Sequence, residues 1–230
     1  MNNKNYLSKT WVLIPAFNEA SVVPEVINNV LKFCKNIIVI DDGSEDSTSE
    51  LIRKTNVELI RHPVNLGQGA AIQTGMEIAL AKKAEYLITF DADGQHQIED
   101  ALKMLEILIT NKYDIVLGNR FMNNMSNIPF LKLLLLKMAV LFSNVFYGFK
   151  ITDIHNGLRV FTAKTAKKII LTQNRMAHAT EILQIIKLHN LKYAEVPNTI
   201  LYTEYSRKKG QKLSNSISIL FDLFADWLHK

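Results

Sequence analysis

The chain has 230 residues, of which 48% are apolar and 21% charged, with a net charge of +5 and one cysteine, Cys34. That length and apolar content suit an α/β domain with a sizeable core and exclude a disordered or fibrous chain. A lone cysteine excludes an internal disulfide framework, and the short apolar start, broken at Pro15, reads as a first strand rather than a secretory leader. A reducing, cytoplasmic setting is expected.

Short β-branched runs alternate with helical spacing along the first half. Residues 11–14 predict a strand. Val23, Val26, Ile27, Val30 and Leu31 then recur at helical spacing, with Pro24 in the first turn. Residues 37–40 predict a second strand, and Ser47 with Glu50 has the spacing of a capping box. Residues 57–60 predict a third strand. The loop Asn65–Ala71 leads into a helix to about Lys83, and residues 86–90 predict a fourth strand. Ile98, Leu102, Leu105 and Ile109 mark a further helix, and residues 114–118 a fifth strand. Continuous apolar strands alternating with helices predict a mostly parallel sheet covered on both faces.

Ligands in such sheets bind beyond the carboxyl ends of the strands. The segments there are PAFNE, DDGSED, DADGQH and NR, so carboxylates gather on one edge. Asp91 and Asp93 suit Mg²⁺ or Mn²⁺, a hard cation that bridges one or two carboxylates to substrate phosphates. An EF-hand is excluded, because Gly94 comes too early after Asp91. Asp41 and Asp42 can accept hydrogen bonds from a base or ribose, while Asp46 and Ser47 fit capping of the next helix. The glycines of NLGQGAA, including Gly69, precede a helix start, where backbone approaches a ligand closely and anions are favoured. Neither the dinucleotide fingerprint nor a Walker lysine motif is present.

Residues 128–149 are strongly apolar but interrupted by Lys132 and Lys137, which makes a poor membrane span. An interfacial helix pair, a buried helix and a dimer contact all fit. Arg207, Lys208, Lys209 and Lys212 form a basic cluster that suits anionic lipid, phosphate or solvent. A final helix places Ile217, Leu220, Phe221, Phe224 and Leu228 on one stripe. No nucleic-acid-binding signature appears, and nucleic acid is not an expected partner.

Through PAFNE, IDDGSED, NLGQGAA, FDADGQH and GNRF the chain resembles the family 2 glycosyltransferases, which have the GT-A fold, over roughly residues 9–122. DADGQH and TDIHNGLRVF are similar to the dolichyl-phosphate mannosyltransferase-like branch. HATEILQIIKLHNLKYAEVP and YSRKKGQKLS are similar to bacterial members that build surface polysaccharides. The resemblance implies a Rossmann-like GT-A core over residues 1–125 and an acceptor-side region over 126–230, in one globular unit. It implies a UDP-, GDP- or dTDP-sugar donor and a glycan or lipid-linked acceptor.

By the same resemblance, Pro15, Ala16, Asn18, Glu19, Asp41 and Asp42 cradle the nucleotide. Asp91 and Asp93 hold the metal and diphosphate, with Gln95 as a further ligand, and Arg120 contacts phosphate. The family inverts the anomeric centre by direct displacement, so a hydroxyl acceptor needs a base. Asp153 is favoured for that role, with Glu181 the alternative. Arg159 pairs with phosphate or with an acid. His155 and His178 lack a second zinc ligand at short spacing and read as polar packing. The favoured activity is transfer in cell-surface glycan assembly at the inner face of the membrane. Polyprenyl-phosphate glycosyl synthesis is the nearest rival, and a silent binding or scaffold homologue is the alternative of another class.

Overall fold

A computed structural model describes residues 5–122, 151–154, 156–174 and 177–201. The apolar segment 128–149, the basic cluster and the final amphipathic stripe lie outside the described residues, as does His155. In chain order the strands are β1 (Thr10–Ala16), β2 (Ile37–Asp41), β3 (Glu58–Arg61), β4 (Tyr86–Thr89), β5 (Ile115–Asn119), β6 (Arg159–Thr162) and β7 (Tyr193–Pro197). The helices are α1 (Val23–Leu31), α2 (Thr48–Arg53), α3 (Gln68–Ala81), α4 (Ile98–Thr110), α5 (Ala163–Ala166) and α6 (His178–Leu188). Every strand and helix expected up to residue 118 is present, with ends displaced by a residue or two.

The strands form one sheet in the order β3-β2-β1-β4-β6-β5-β7. All neighbours run parallel except β6, which is antiparallel to both β4 and β5. Alternation along the strands feeds two cores. Val12, Ile14, Val39, Ile88 and Val116 meet α1 and α4 on one face. Leu13, Ile38, Ile40, Leu87 and Phe161 meet α3 and α6 on the other. Each such side chain, fully buried, is worth about 1.5–3 kcal/mol in transfer free energy.

The sheet does not stop at residue 125. Strand β6 inserts between β4 and β5, so the later part of the chain completes the same layer. Because β6 is antiparallel, it begins at the rim where its parallel neighbours end. Residues 156–158, just before it, therefore arrive beside the DADGQH loop, and the register sets Arg159 opposite Thr89.

The expected capping box at Ser47 does not form. Ser47 makes no side-chain cap bond, and Asp46 Oδ1 instead accepts from the Thr48 amide at 3.0 Å. Asp46 is two residues from that amide and reaches it in a tight Asx-type turn, which leaves Ser47 outside.

Candidate active site

The nucleotide-side loops are fastened to one another. Pro15 and Ala16 end β1. Asn18, at φ 53°, accepts from the Glu45 amide at 2.9 Å and donates its own amide to Ser44 Oγ at 2.9 Å. The Glu19 amide donates to Thr48 Oγ1 at 2.8 Å. PAFNE and DDGSED thus form one stitched edge. A cleft of about 500 Å³ opens there, with Phe17, Ser44, Arg61 and Val64 among its walls.

Asp41 and Asp42, expected on base or ribose, are buried and occupied. Asp41 is 0% exposed. Its Oδ1 accepts from the Ser44 amide at 3.0 Å, and its Oδ2 accepts from Ser49 Oγ and lies 3.4 Å from Arg61 Nε. Asp42 Oδ1 meets His62 Nδ1 at 2.7 Å and the Leu66 amide at 3.0 Å, while Oδ2 takes the Gly67 amide at 2.7 Å. Carboxylates so placed brace the loops of this edge, with almost no exposed surface of their own.

At NLGQGAA, expected to receive an anion, the protein supplies an anion of its own. The anion at the start of α3 is Asp42 itself, capping the Leu66 and Gly67 amides. Beyond Gln68, the Gly69 and Ala70 amides donate to the Asn174 carbonyl at 2.7 and 3.3 Å. Gly69 is a glycine because Gln173, Asn174 and His178 lie against it: a Cβ there would stand 2.1 Å from the Gln173 carbonyl oxygen. These four amides are spent on the protein.

The DADGQH loop is different. Asp91 is held on both oxygens, Oδ1 by Gln68 Nε2 at 2.9 Å and Oδ2 by His96 Nε2 at 2.9 Å. Burial works to raise its carboxyl, but the His96 bond and charge, with Arg159 and His178 nearby, hold it below the usual range. Asp93 shows the reverse. Burial, then repulsion from Asp91 and Glu19, pushes its carboxyl up to about 6, offset in part by His96 and by the Gln95 amide at 3.0 Å from Oδ1. An acid this strained in its charged form is what a cation relieves. His96 packs edge-on to Phe90, with ring centroids 5.7 Å apart.

Sequence reasoning passed over two neighbours of Asp91. Gly157 presses so closely that a Cβ there would lie 2.1 Å from Asp91 Oδ2. Gln68 comes from a loop read for its glycines. The signal open to sequence reading for Gly157 is its place in TDIHNGLRVF, a stretch quoted for the family resemblance.

The candidate bases are both engaged. Asp153 is 3% exposed, and its Oδ2 accepts from Arg120 Nε at 2.8 Å, the Arg120 amide at 2.9 Å and Asn156 Nδ2 at 3.1 Å. It holds the guanidinium assigned to phosphate. Glu181 Oε1 and Oε2 accept from the Thr172 amide at 2.9 and 3.1 Å, and Oε2 from the Gln173 amide at 3.0 Å. It closes the turn ahead of α6. Arg159 is 2% exposed, with Nη2 3.4 Å from the Ile154 carbonyl and Nη1 unpartnered. Burial lowers it to about 10, against the pull of Asp91 and Asp153.

A divalent cation fits this set. Among the described residues no group of three His, Cys, Asp or Glu side chains closes around a metal. Mg²⁺ and Mn²⁺ do not need such a cage, since substrate phosphates and water complete the shell of one or two carboxylates. Asp93 supplies an underneutralised carboxylate, with Asp91 beside it. Bound there, the ion would offset charge on a diphosphate leaving group.

Residues 11–170 match the family described as Glycosyl transferase family 2. The UDP-N-acetylglucosamine–dolichyl-phosphate N-acetylglucosaminyltransferase of Methanococcus voltae is 31% identical, covering 93% of this chain and 94% of that protein. The dolichyl-phosphate β-glucosyltransferase of Dictyostelium discoideum is 29% identical, covering 97% of this chain and 76% of its own. The glucosyl-3-phosphoglycerate synthase of Mycobacterium tuberculosis, solved with Mn²⁺ and UDP-glucose, has the same fold: TM-score 0.73, 15% identity, covering 95% of this chain and 78% of that one. No helix among the described residues is long and apolar enough to cross a membrane. Sequence and fold agree, and the chain belongs to glycosyltransferase family 2, with the GT-A fold that its motifs imply.

Proposed function

We propose that this glycosyltransferase moves a sugar from a nucleoside diphosphate sugar, with Mg²⁺ or Mn²⁺, onto a polyprenyl phosphate. The observation that carries the choice of acceptor is the state of the two carboxylates. Asp153 accepts three hydrogen bonds at Oδ2 and is buried against Arg120, and Glu181 is tied to Thr172 and Gln173. A hydroxyl acceptor must surrender a proton as it attacks. A phosphate monoester is already an anion at neutral pH, so its oxygen attacks without a base. The relatives named for dolichyl phosphate support the same reading.

In this scheme a phosphate oxygen of the acceptor forms a bond to the anomeric carbon as the bond to the donor diphosphate breaks, with inversion. Arg120, held at Nε by Asp153, would bring its positive charge to a phosphate. Asp93, Asp91 and Gln95 would hold the cation. Hydroxyl transfer in glycan assembly is the second reading, and it requires Asp153 to leave Arg120.

The test offers Mn²⁺ and a panel of UDP-, GDP- and dTDP-sugars with polyprenyl phosphate, the matching polyprenol or a soluble glycan. Transfer to the phosphate and none to the alcohol is expected. Transfer to polyprenol or glycan, with none to the phosphate, would refute the proposal.

A further inference from the structure

We infer that Arg61 reads the nucleobase of the donor, selecting bases that present a keto oxygen, and that Asp41 acts by holding Arg61. This rests on the nucleotide-sugar reading above. Arg61 ends β3 directly opposite Asp41 at the end of β2. Its Nε lies 3.4 Å from Asp41 Oδ2, and its Nη2 donates to the Ser44 carbonyl at 2.9 Å. The hydrogen bond at Nη2 and the ion pair at Nε hold two of the three nitrogens, and the planar, half-exposed fork carries further donors at Nη1. Asp41 has no exposed surface, whereas the Arg61 side chain is 48% exposed in the wall of the cleft.

The other walls say what fits. Phe17 is 39% exposed and Val64 59%, surfaces suited to the flat face of a base. Glu45, Asp46 and Glu50 also line the cleft. Three carboxylates repel a diphosphate and tolerate a neutral ring. The base therefore enters here and the diphosphate extends towards Asp93, since β4 lies beside β1 in the sheet. Uracil, thymine and guanine each present a carbonyl oxygen to a fixed N–H donor. Adenine presents an amino group there, which leaves the Arg61 donor desolvated and unmatched.

The test is calorimetric binding of UDP, GDP and ADP, each with Mn²⁺, to the full chain and to the variants Arg61→Met, Arg61→Lys and Phe17→Leu. The full chain should bind UDP or GDP at least about tenfold more tightly than ADP, the scale of a lost hydrogen bond in a desolvated site. Arg61→Met should bring all three within about threefold of one another, mainly by weakening the keto nucleotides. Arg61→Lys keeps the charge but not the fork, should fall between the two, and decides the matter if Arg61→Met does not fold. Phe17→Leu should weaken all three alike, because stacking is indifferent to the base. A keto preference that survives both Arg61 variants, or ADP binding as tight as UDP and GDP in the full chain, overturns the inference and leaves the donor reading intact. Binding of no nucleotide overturns both.

Discussion

Gly157 and Asp91 are packed so that an added Cβ would stand 2.1 Å from Oδ2 and 2.4 Å from Oδ1 of the carboxylate. Thr89 Oγ1 donates to the Gly157 carbonyl at 2.7 Å and fixes that backbone against β4. Gly157→Ala must therefore move Asp91 rather than itself. We expect a loss of about 1–3 kcal/mol in stability from overpacking. Turnover should fall about a hundredfold, the scale of an ångström's misplacement at a reacting centre. Thermal melts and turnover of the purified variant check this, and near-normal turnover would contradict it.

Asp93 predicts an unusual pH response of the metal-free protein. Its folded carboxyl lies at about 6, above the ordinary 3.8. Between those values the folded state binds more proton than the unfolded one, so this group's contribution to stability is full below the unfolded value and is lost as pH rises through about 6. At about 1.4 kcal/mol per pH unit, that is at most about 3 kcal/mol. Paired acids such as Asp91 act oppositely, so the comparison needed is between variants. In a chelator, Asp93→Asn should be stabilised relative to the native chain at pH 7 and much less so at pH 5. Denaturant melts at the two values measure it.

Asp153→Asn and Glu181→Gln should part company. Removing the Asp153 charge breaks a buried ion pair with Arg120, at a cost of about 3–5 kcal/mol. Turnover should fall with it as the guanidinium loses its place. Glu181→Gln removes acceptors from an exposed turn and should cost about 1–2 kcal/mol with turnover near normal. If Glu181→Gln abolishes turnover while its melting temperature holds, Glu181 has a chemical role that its bonds to Thr172 and Gln173 do not reveal.

Gly69→Ala separates packing from anion binding. The methyl group would press on the Gln173 carbonyl oxygen, so the melting temperature should drop by the equivalent of about 1–3 kcal/mol. Nucleotide affinity should stay close to that of the native chain, because the Gly69 amide already serves Asn174. A large loss of nucleotide affinity with an unchanged melt would restore the phosphate-cradle reading.

The parallel half of the sheet was readable because its strands are buried on both faces and therefore continuously apolar, as in Ile37–Asp41. Strand β6 was not, since Arg159 opens it, and an arginine inside a sheet argues against a strand until its acidic neighbours are known. Strand β7 was hidden by Glu195, which reaches the Thr152 amide at 3.0 Å and so faces a polar partner. The acids at the rim were found by type and spacing. Their division of labour was not, because most of the groups that separate them, His96 apart, lie 20 or more residues away in the chain. Gln68 and His96 occupy Asp91, Arg120 occupies Asp153, and Arg61 lies against Asp41. Gly69 shows the same limit: a glycine before a helix looks the same whether a phosphate or a crossing chain lies against it.

The assignment of Asp93 as the residue that needs a cation is tested most directly by titrating Mn²⁺ into the native chain and into Asp93→Asn, each with UDP and, separately, GDP. The native chain should bind the preferred nucleotide at least about tenfold more tightly with the metal than without it, and Asp93→Asn should lose that gain while binding the metal-free nucleotide as before. An undiminished gain in Asp93→Asn would contradict the account.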